Sequence, residues 1–289
     1  MKKIVIDKNQ NGKKLNTVLL SEFKNLSINS LYKALRKKDI KINGKRISEN
    51  TTVYENDIVE IYITDLDSKN SSLLISKENI VYEDENIIAV NKPVQIEVTG
   101  TDSLTSQLTS LLGYPVFPCH RLDRNTSGIT LFTKNEIALN ILLAKFKNHE
   151  IEKHYKAVCY GIFTKKADTL IAYLFKDTKK SQVYISDTPK KGYQKIITEY
   201  TVISVNKEYN TSTLDIILHT GKTHQIRAHL AHIGHPIIGD GKYGINEINK
   251  KFKKKYQMLE SQSISFNFTT DSGILNYLNG TKVEIKSRN

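Results

Sequence analysis

Apolar positions recur along the chain first at helical spacing and later at strand spacing. Near the start, LNTVLLSEFKN places Leu15, Val18, Leu19 and Phe23 on one helical stripe. The next run, SINSLYKALRKKD, gives a second helix capped by Ser30. Leu31 and Leu35 form its apolar face, and Lys33, Arg36 and Lys37 its other face. In IKINGKRI, Asn43-Gly44 sits between alternating residues, which predicts a two-residue hairpin. IVEIYI (58–63) closes this unit as a strand, and TDLDSKNSSLLIS (64–76) is polar, serine-rich and reads as a linker.

From residue 77 the strand rhythm dominates. NIIAV, GITLF, KHYKAVCYG, QVYIS, IITEYTVISV, TSTLDIILHT and ISFNF are strand-like, whereas only SLTSQLTSLL, NEIALNILLAKFKNH and KTHQIRAHLAHIG carry helical stripes. Many strands, few helices and no regular alternation predict an α+β domain with a largely antiparallel, mixed sheet, spanning 77–275, behind a small α/β domain at 12–63.

Composition narrows the partners. Among 289 residues, 43 are Lys or Arg and 30 are Asp or Glu, a net charge of +13. Residues 1–65 hold 13 of the bases and 8 of the acids. Such an excess favours a polyanion, either nucleic acid or an anionic membrane surface. No run approaches the ~18 apolar residues of a spanning helix, and MKKIVIDKNQ meets Asp7 before any apolar region, so neither membrane insertion nor a signal peptide is expected. Cys119 and Cys159 form no C-x-x-C pair and read as core fillers of a reduced, cytoplasmic protein.

Three stretches could carry chemistry. In HRLDRNTSG, Asp123 lies in a loop between Arg121 and Arg124; an opposite charge nearby favours the carboxylate, which can serve as nucleophile or base, or simply as half of a loop salt bridge. In KHYKAVCYG, Tyr155 shares a strand face with Ala157 and Cys159 and points inward. In HTGKTHQIRAHLAHIGHPIIGD (219–240), Thr220-Gly221 turns into a helix whose core stripe is Ile226, Leu230 and Ile233. Arg227 lies beside that stripe and needs an acid, for which Asp123 is the mechanistic candidate. His224, His229, His232 and His235 do not fit one metal-binding face, so no metal is expected. Gly239, Gly241 and Gly244 match G-x-G-x-x-G only formally, since no βαβ unit surrounds them.

Taken in order, HRLDRNTSG, KHYKAVCYG and TGKTHQIRAHLAHIGHPIIGD closely resemble the RluA family of RNA pseudouridine synthases, with NKP (91–93) in support. Residues 12–63 resemble the RNA-binding domain named after ribosomal protein S-four, whose RNA-facing edge would include Arg36 and Lys37. The resemblance implies a pseudouridine synthase fold and isomerisation of uridine within structured RNA, ribosomal RNA ahead of transfer RNA, by base flipping. It implies Asp123 as the catalytic aspartate, Arg227 as its partner and Tyr155 against the target base. Arg121 and His120 would meet the RNA, and Ile238 would be an apolar contact in the pocket. An isomerisation needs no redox cofactor or energy source, so no cofactor is expected, nor an obligate protein partner; a monomer suffices. The carboxylate could attack ribose or base, or remove a ribose proton. The chain departs from the family's usual residues at Asn16, Val94, Gln95, Asn125, Lys222 and Glu260.

Overall fold

The computed structural model describes residues 2–23, 26, 28–62 and 75–285, with backbone alone for 28–30 and 33. The expected cap at Ser30, the side chain of Lys33 and residues 64–74 of the expected linker lie outside the described residues. The chain divides into two compact units, Met1–Leu74 and Ile75–Asn289.

In the first unit, β1 (Lys2–Val5) precedes the helices α1 (Leu15–Glu22) and α2 (Ile28–Lys37), then β2 (Ile40–Ile42), β3 (Lys45–Ile47) and β4 (Ile58–Ile61). The four strands lie in the order β1-β4-β2-β3. Asn43 and Gly44 both take positive φ at the β2–β3 turn, as a primed hairpin turn requires. Leu15, Val18 and Leu19 of α1 and Leu31 and Leu35 of α2 are buried against Ile40, Val59 and Ile61 of the sheet. Arg36 and Lys37, in the last turn of α2, are exposed.

The second unit is built on one large sheet. Its elements are β5 (Ile80–Glu83), β6 (Ile87–Lys92), α3 (Leu104–Leu112), β7 (Phe117–Pro118), β8 (Ser127–Thr133), α4 (Glu136–Lys147) and β9 (Ile151–Tyr160). There follow β10 (Ala167–Asp177), β11 (Gln182–Ser186), β12 (Gln194–Asn206), β13 (Thr211–Leu218), α5 (Gln225–His232), α6 (Asn246–Lys251), β14 (Leu259–Phe266) and β15 (Lys282–Glu284). The strand order is β11-β10-β12-β13-β9-β14-β8-β6-β5, with β15 on β14 and β7 on β8. The pairings are antiparallel except β14 with β8, which is parallel. Both faces are covered near the middle. Ile88 and Val90 join Leu104, Leu108, Ile226 and Leu230 of α3 and α5 in one core, while Ile87 and Ala89 join Ala138 and Leu142 of α4 in the other. The fold is α+β with a mostly antiparallel sheet. Cys119 and Cys159 are free and buried. No helix among the described residues is long and apolar enough to cross a membrane.

The pattern of the sequence missed β10. ADTLIAYLFKD is apolar on both faces, Ile171 and Phe175 being exposed while Ala172 and Leu174 are buried, so period 2 is blurred. The turn expected at Thr220-Gly221 runs further than its sequence suggests: α5 begins at Gln225, after His224 in a left-handed conformation at φ 54°.

Candidate active site

The loop between β7 and β8 carries Asp123 and is fixed from three sides. Its own turn closes by Thr126 N–H donating to the Asp123 carbonyl at 3.0 Å. Gln257 Nε2 donates to Thr126 Oγ1 at 3.0 Å. Lys92, fully buried at the end of β6, donates Nζ to the carbonyls of Pro93, Ile96 and Arg124 at 2.9, 3.0 and 3.1 Å. Burial pulls the Lys92 ammonium down to about 8, against the pull of the Asp123 charge. Leu122 points into the core, which turns the next side chain, Asp123, toward a cleft of about 310 Å³.

Arg227 on α5 reaches that carboxylate. Its Nη1 donates to Asp123 Oδ2 at 2.8 Å. Its Nε and Nη2 grip both oxygens of Asp240 at 2.7 and 2.9 Å. Asp240 is 0% exposed, and its Oδ1 also accepts the backbone N–H groups of Lys242 and Tyr243. Burial opposes the Arg227 charge, but Asp240 and then Asp123 outweigh it and raise the guanidinium's pKa. Burial likewise opposes the Asp240 charge, and Arg227 with the two N–H groups overcomes it, so this carboxyl lies below its ordinary range. The result is a carboxylate in the cleft, 22% exposed at its side chain, whose counterion is locked from behind by a second acid.

Tyr155 enters from β9 and is 5% exposed. Burial first, then the Asp123 charge, pushes its hydroxyl above the ordinary phenol range, so it keeps its proton at neutral pH. One strand, β14, separates it from the Asp123 loop, and Ser261 sets the distance: it pairs with Gly128 of β8 on one side and with Tyr155 on the other. Gly128 is required there. Its φ is +109°, and a Cβ would overlap the Ser261 carbonyl oxygen.

Among the other residues expected at the site, Arg121 is exposed on the cleft rim. Arg124, the other flanking arginine, turns away and donates Nε to Gln95 O at 3.1 Å. His120 lines the cleft wall. Its Nε2 accepts Leu131 N–H at 3.1 Å, its ring packs on Phe146, and burial with the Lys153 charge drives it down to about 3, hence neutral. Ile238 lies deeper than the other residues expected at the site. It is buried, its N–H bonded to Val158 O and its carbonyl to Met258 N–H, and it is not among the residues lining the cleft. Arg36 and Lys37 belong to the first unit. Sequence reasoning missed Lys92, Asp240, Lys153 and Tyr243. One signal was available for Asp240: a guanidinium has five donors, and one carboxylate cannot satisfy them in a core. Among the described residues no group of three or more His, Cys, Asp or Glu side chains is placed to hold a metal ion.

Residues 86–232 match the family described as RNA pseudouridylate synthase. The chain belongs to that family. The match spans Asp123, Tyr155 and Arg227 and makes the protein an RNA pseudouridine synthase, an isomerase acting on uridine in RNA. An uncharacterized RNA pseudouridine synthase of Mycoplasma capricolum is 31% identical, over 99% of this chain and 98% of that one. Ribosomal large subunit pseudouridine synthase C of Buchnera aphidicola (from Acyrthosiphon pisum) is 29% identical, over 98% of this chain and 92% of its own. In fold the synthase is similar to human RNA Pseudouridylate Synthase Domain Containing 1, with a TM-score of 0.59 at 23% identity, covering 67% of this chain and 80% of that one.

Proposed function

We propose that this pseudouridine synthase acts on large-subunit ribosomal RNA and that Asp123 is the group that attacks the target nucleotide. The observation that carries the assignment is the Asp123–Arg227–Asp240 chain, which brings an oriented carboxylate into a cleft. Pseudouridine arises when the ribose–nitrogen bond breaks, the uracil turns and carbon 5 takes the sugar. A stacked uridine cannot reach Asp123, so the nucleotide is flipped, at a cost of a few kcal/mol. The cleft, about 310 Å³, sits at the lower end of the ~300–1,000 Å³ usual for ligand sites and suits one nucleotide. Asp123 Oδ2 is held by Arg227, while Oδ1 has no partner among the described residues and is the atom left to engage the sugar or base. Tyr155, which burial and the Asp123 charge keep protonated, lies against the target base.

Arg121 on the rim fills the space that the flipped nucleotide vacates, and Lys153 and Lys222 add positive charge to the cleft wall. Burial lowers the Lys153 pKa, yet the ring of Phe146 lies 5.2 Å from its ammonium. The first unit, with two helices, a hairpin and a basic α2, acts as an S-four-like RNA-binding domain through Arg36 and Lys37. Phosphate contacts from these groups offset the flipping cost and make binding salt-sensitive. Ribosomal RNA as substrate is supported by the names of several relatives, including those from Buchnera aphidicola and Vibrio cholerae. Two buried free thiols suit the cytoplasm.

The test is tritium release from ribosomal RNA labelled at uracil carbon 5. The intact protein releases label, and Asp123→Asn does not while still binding RNA. Release by Asp123→Asn at the wild-type rate would remove Asp123 from the chemistry.

A further inference from the structure

A hydrogen-bond relay beside Asp123, through His224 and Tyr243, takes no part in the proposed chemistry. Tyr243 Oη accepts Val183 N–H of β11 at 3.0 Å and lies 2.9 Å from His224 Nδ1. Among the described residues it has no other acceptor in reach, so its single proton goes to Nδ1. A neutral imidazole that accepts at Nδ1 carries its proton on Nε2. That Nε2 lines the cleft, 3.9 Å from Asp123 Oδ2, too far for a hydrogen bond to the carboxylate. An N–H donor therefore stands beside the attacking group with no acceptor of its own.

The backbone is bent to put it there. His224 has φ 54° and ψ 19°, a conformation costly for a side chain other than Gly, Asn or Asp. It precedes α5 as the cap residue, its carbonyl accepting Ala228 N–H at 2.9 Å, yet its side chain makes no capping bond. Gln225 does the local work instead, its Oε1 accepting Lys222 N–H and Thr220 Oγ1–H. The His224 side chain is thus left free of the capping and turn bonds. The charged and titratable groups facing His224 are Asp123, Arg227, Lys242, Asp240 and Tyr243. Burial, with Arg227 and Lys242, outweighs the two acids and keeps the ring below its ordinary range, consistent with the neutral form.

We infer that His224 donates Nε2–H to an oxygen of the flipped nucleotide, and that Tyr243 fixes the tautomer that makes this possible. His224 thereby positions the nucleotide against Asp123. The acceptor is either the ribose 2′-oxygen or a uracil carbonyl oxygen. The inference rests on the assignment of Asp123 to the target nucleotide, and Asp123→Asn, which should release no tritium, is the control for that assignment.

The experiment is single-turnover tritium release by the full chain, using His224→Ala, His224→Asn, Tyr243→Phe and the His224→Ala/Tyr243→Phe double variant. Asn tolerates the left-handed backbone, so His224→Asn reports on the ring even if His224→Ala folds poorly. A lost donor to substrate predicts a fall in the chemical rate of roughly 10- to 100-fold for both His224 variants, with RNA affinity changed less than about threefold. Tyr243→Phe should show a smaller fall, and the double variant should be no slower than His224→Ala. Target uridines carrying 2′-fluorine or 4-thio-uracil then separate the two acceptors: the change that slows wild type but not His224→Ala marks the oxygen contacted. Wild-type release with unchanged rates in both His224 variants would overturn the inference alone. So would strictly additive effects of His224→Ala and Tyr243→Phe, which would make Tyr243 a support of β11 only. Release by Asp123→Asn at the wild-type rate would instead overturn the reading of Asp123, and absence of release by the wild type would overturn the choice of ribosomal RNA as substrate.

Discussion

Arg227 stands between two acids, and removing it tests whether Asp240 is there for the arginine's sake. In Arg227→Met the aliphatic stem is kept, but three charge-assisted hydrogen bonds of 2.7–2.9 Å vanish. Asp123 is partly solvated and loses little. Asp240 is wholly buried and retains only two backbone N–H donors, both on Oδ1. Orphaning one member of a buried ion pair costs about 3–5 kcal/mol. For a domain of this size, roughly 2–4 °C of Tm per kcal/mol gives a fall of about 6–20 °C in calorimetry. Asp240→Asn keeps one acceptor for Arg227 and the N–H groups but sets an amide N–H against Nε–H, costing about 2–3 kcal/mol. The double variant removes the charges together, so its cost should sit near that of the worse single variant, a coupling of about 2–3 kcal/mol. Activity separates the two positions further. Arg227→Met should release no tritium with RNA affinity largely kept. Asp240→Asn, whose arginine still meets Asp123 but is no longer gripped on both sides, should turn over roughly 10-fold or more slowly. Additive losses of stability, or normal turnover by Arg227→Met, would refute the picture of one acid holding the counterion of another.

Further expectations concern other parts of the site. Tyr155→Phe should slow release by at least about 100-fold if its proton is transferred, with Tm nearly unchanged; a normal rate would confine Tyr155 to packing. Gly128→Ala should destabilise by roughly 3 kcal/mol and slow turnover, because β14 must move from β8 and carry Tyr155 away from Asp123; wild-type Tm would show that the close approach is dispensable. Lys92 has a folded pKa of about 8 against an ordinary 10.5, so between these pH values the unfolded chain holds a proton the folded one has released, and stability rises with pH. The stability of wild type relative to Lys92→Met should therefore grow from pH 8 to 10.5, by up to about 3 kcal/mol, and a flat difference would contradict a buried ammonium. Deleting residues 1–65 should weaken RNA binding and flatten its salt dependence, by about 0.7–0.9 in log–log slope for each phosphate that the domain neutralises; an unchanged slope would take the basic first domain off the RNA.

The sequence makes some of this legible and hides the rest for identifiable reasons. Helical stripes locate α1 and α5, and Asn43-Gly44 locates a turn, because each is decided by neighbours within a few residues. Alternation with Ala157 and Cys159 places Tyr155 inward, and all three are buried. Asp240 escapes notice because it reads as an ordinary acid in a glycine-rich loop; its burial depends on the chain folding back thirteen residues to Arg227. Lys92 escapes notice because a lysine is assumed to be solvated. Here carbonyls from two separate loops converge on it, a fact no local pattern contains. Ile238 shows a different limit of local pattern: apolarity alone does not say whether a residue faces a pocket or the interior.

The position of β14 has a consequence for how the protein is made. It lies between β8 and β9, yet it is synthesised after both, with β10 to β13 and α5 intervening. Until Leu259–Phe266 has been translated, the strand bearing Tyr155 and the strand following Asp123 have no common neighbour. The sheet that joins the Tyr155 strand to the Asp123 loop is therefore closed by one of the last strands of the chain to be made.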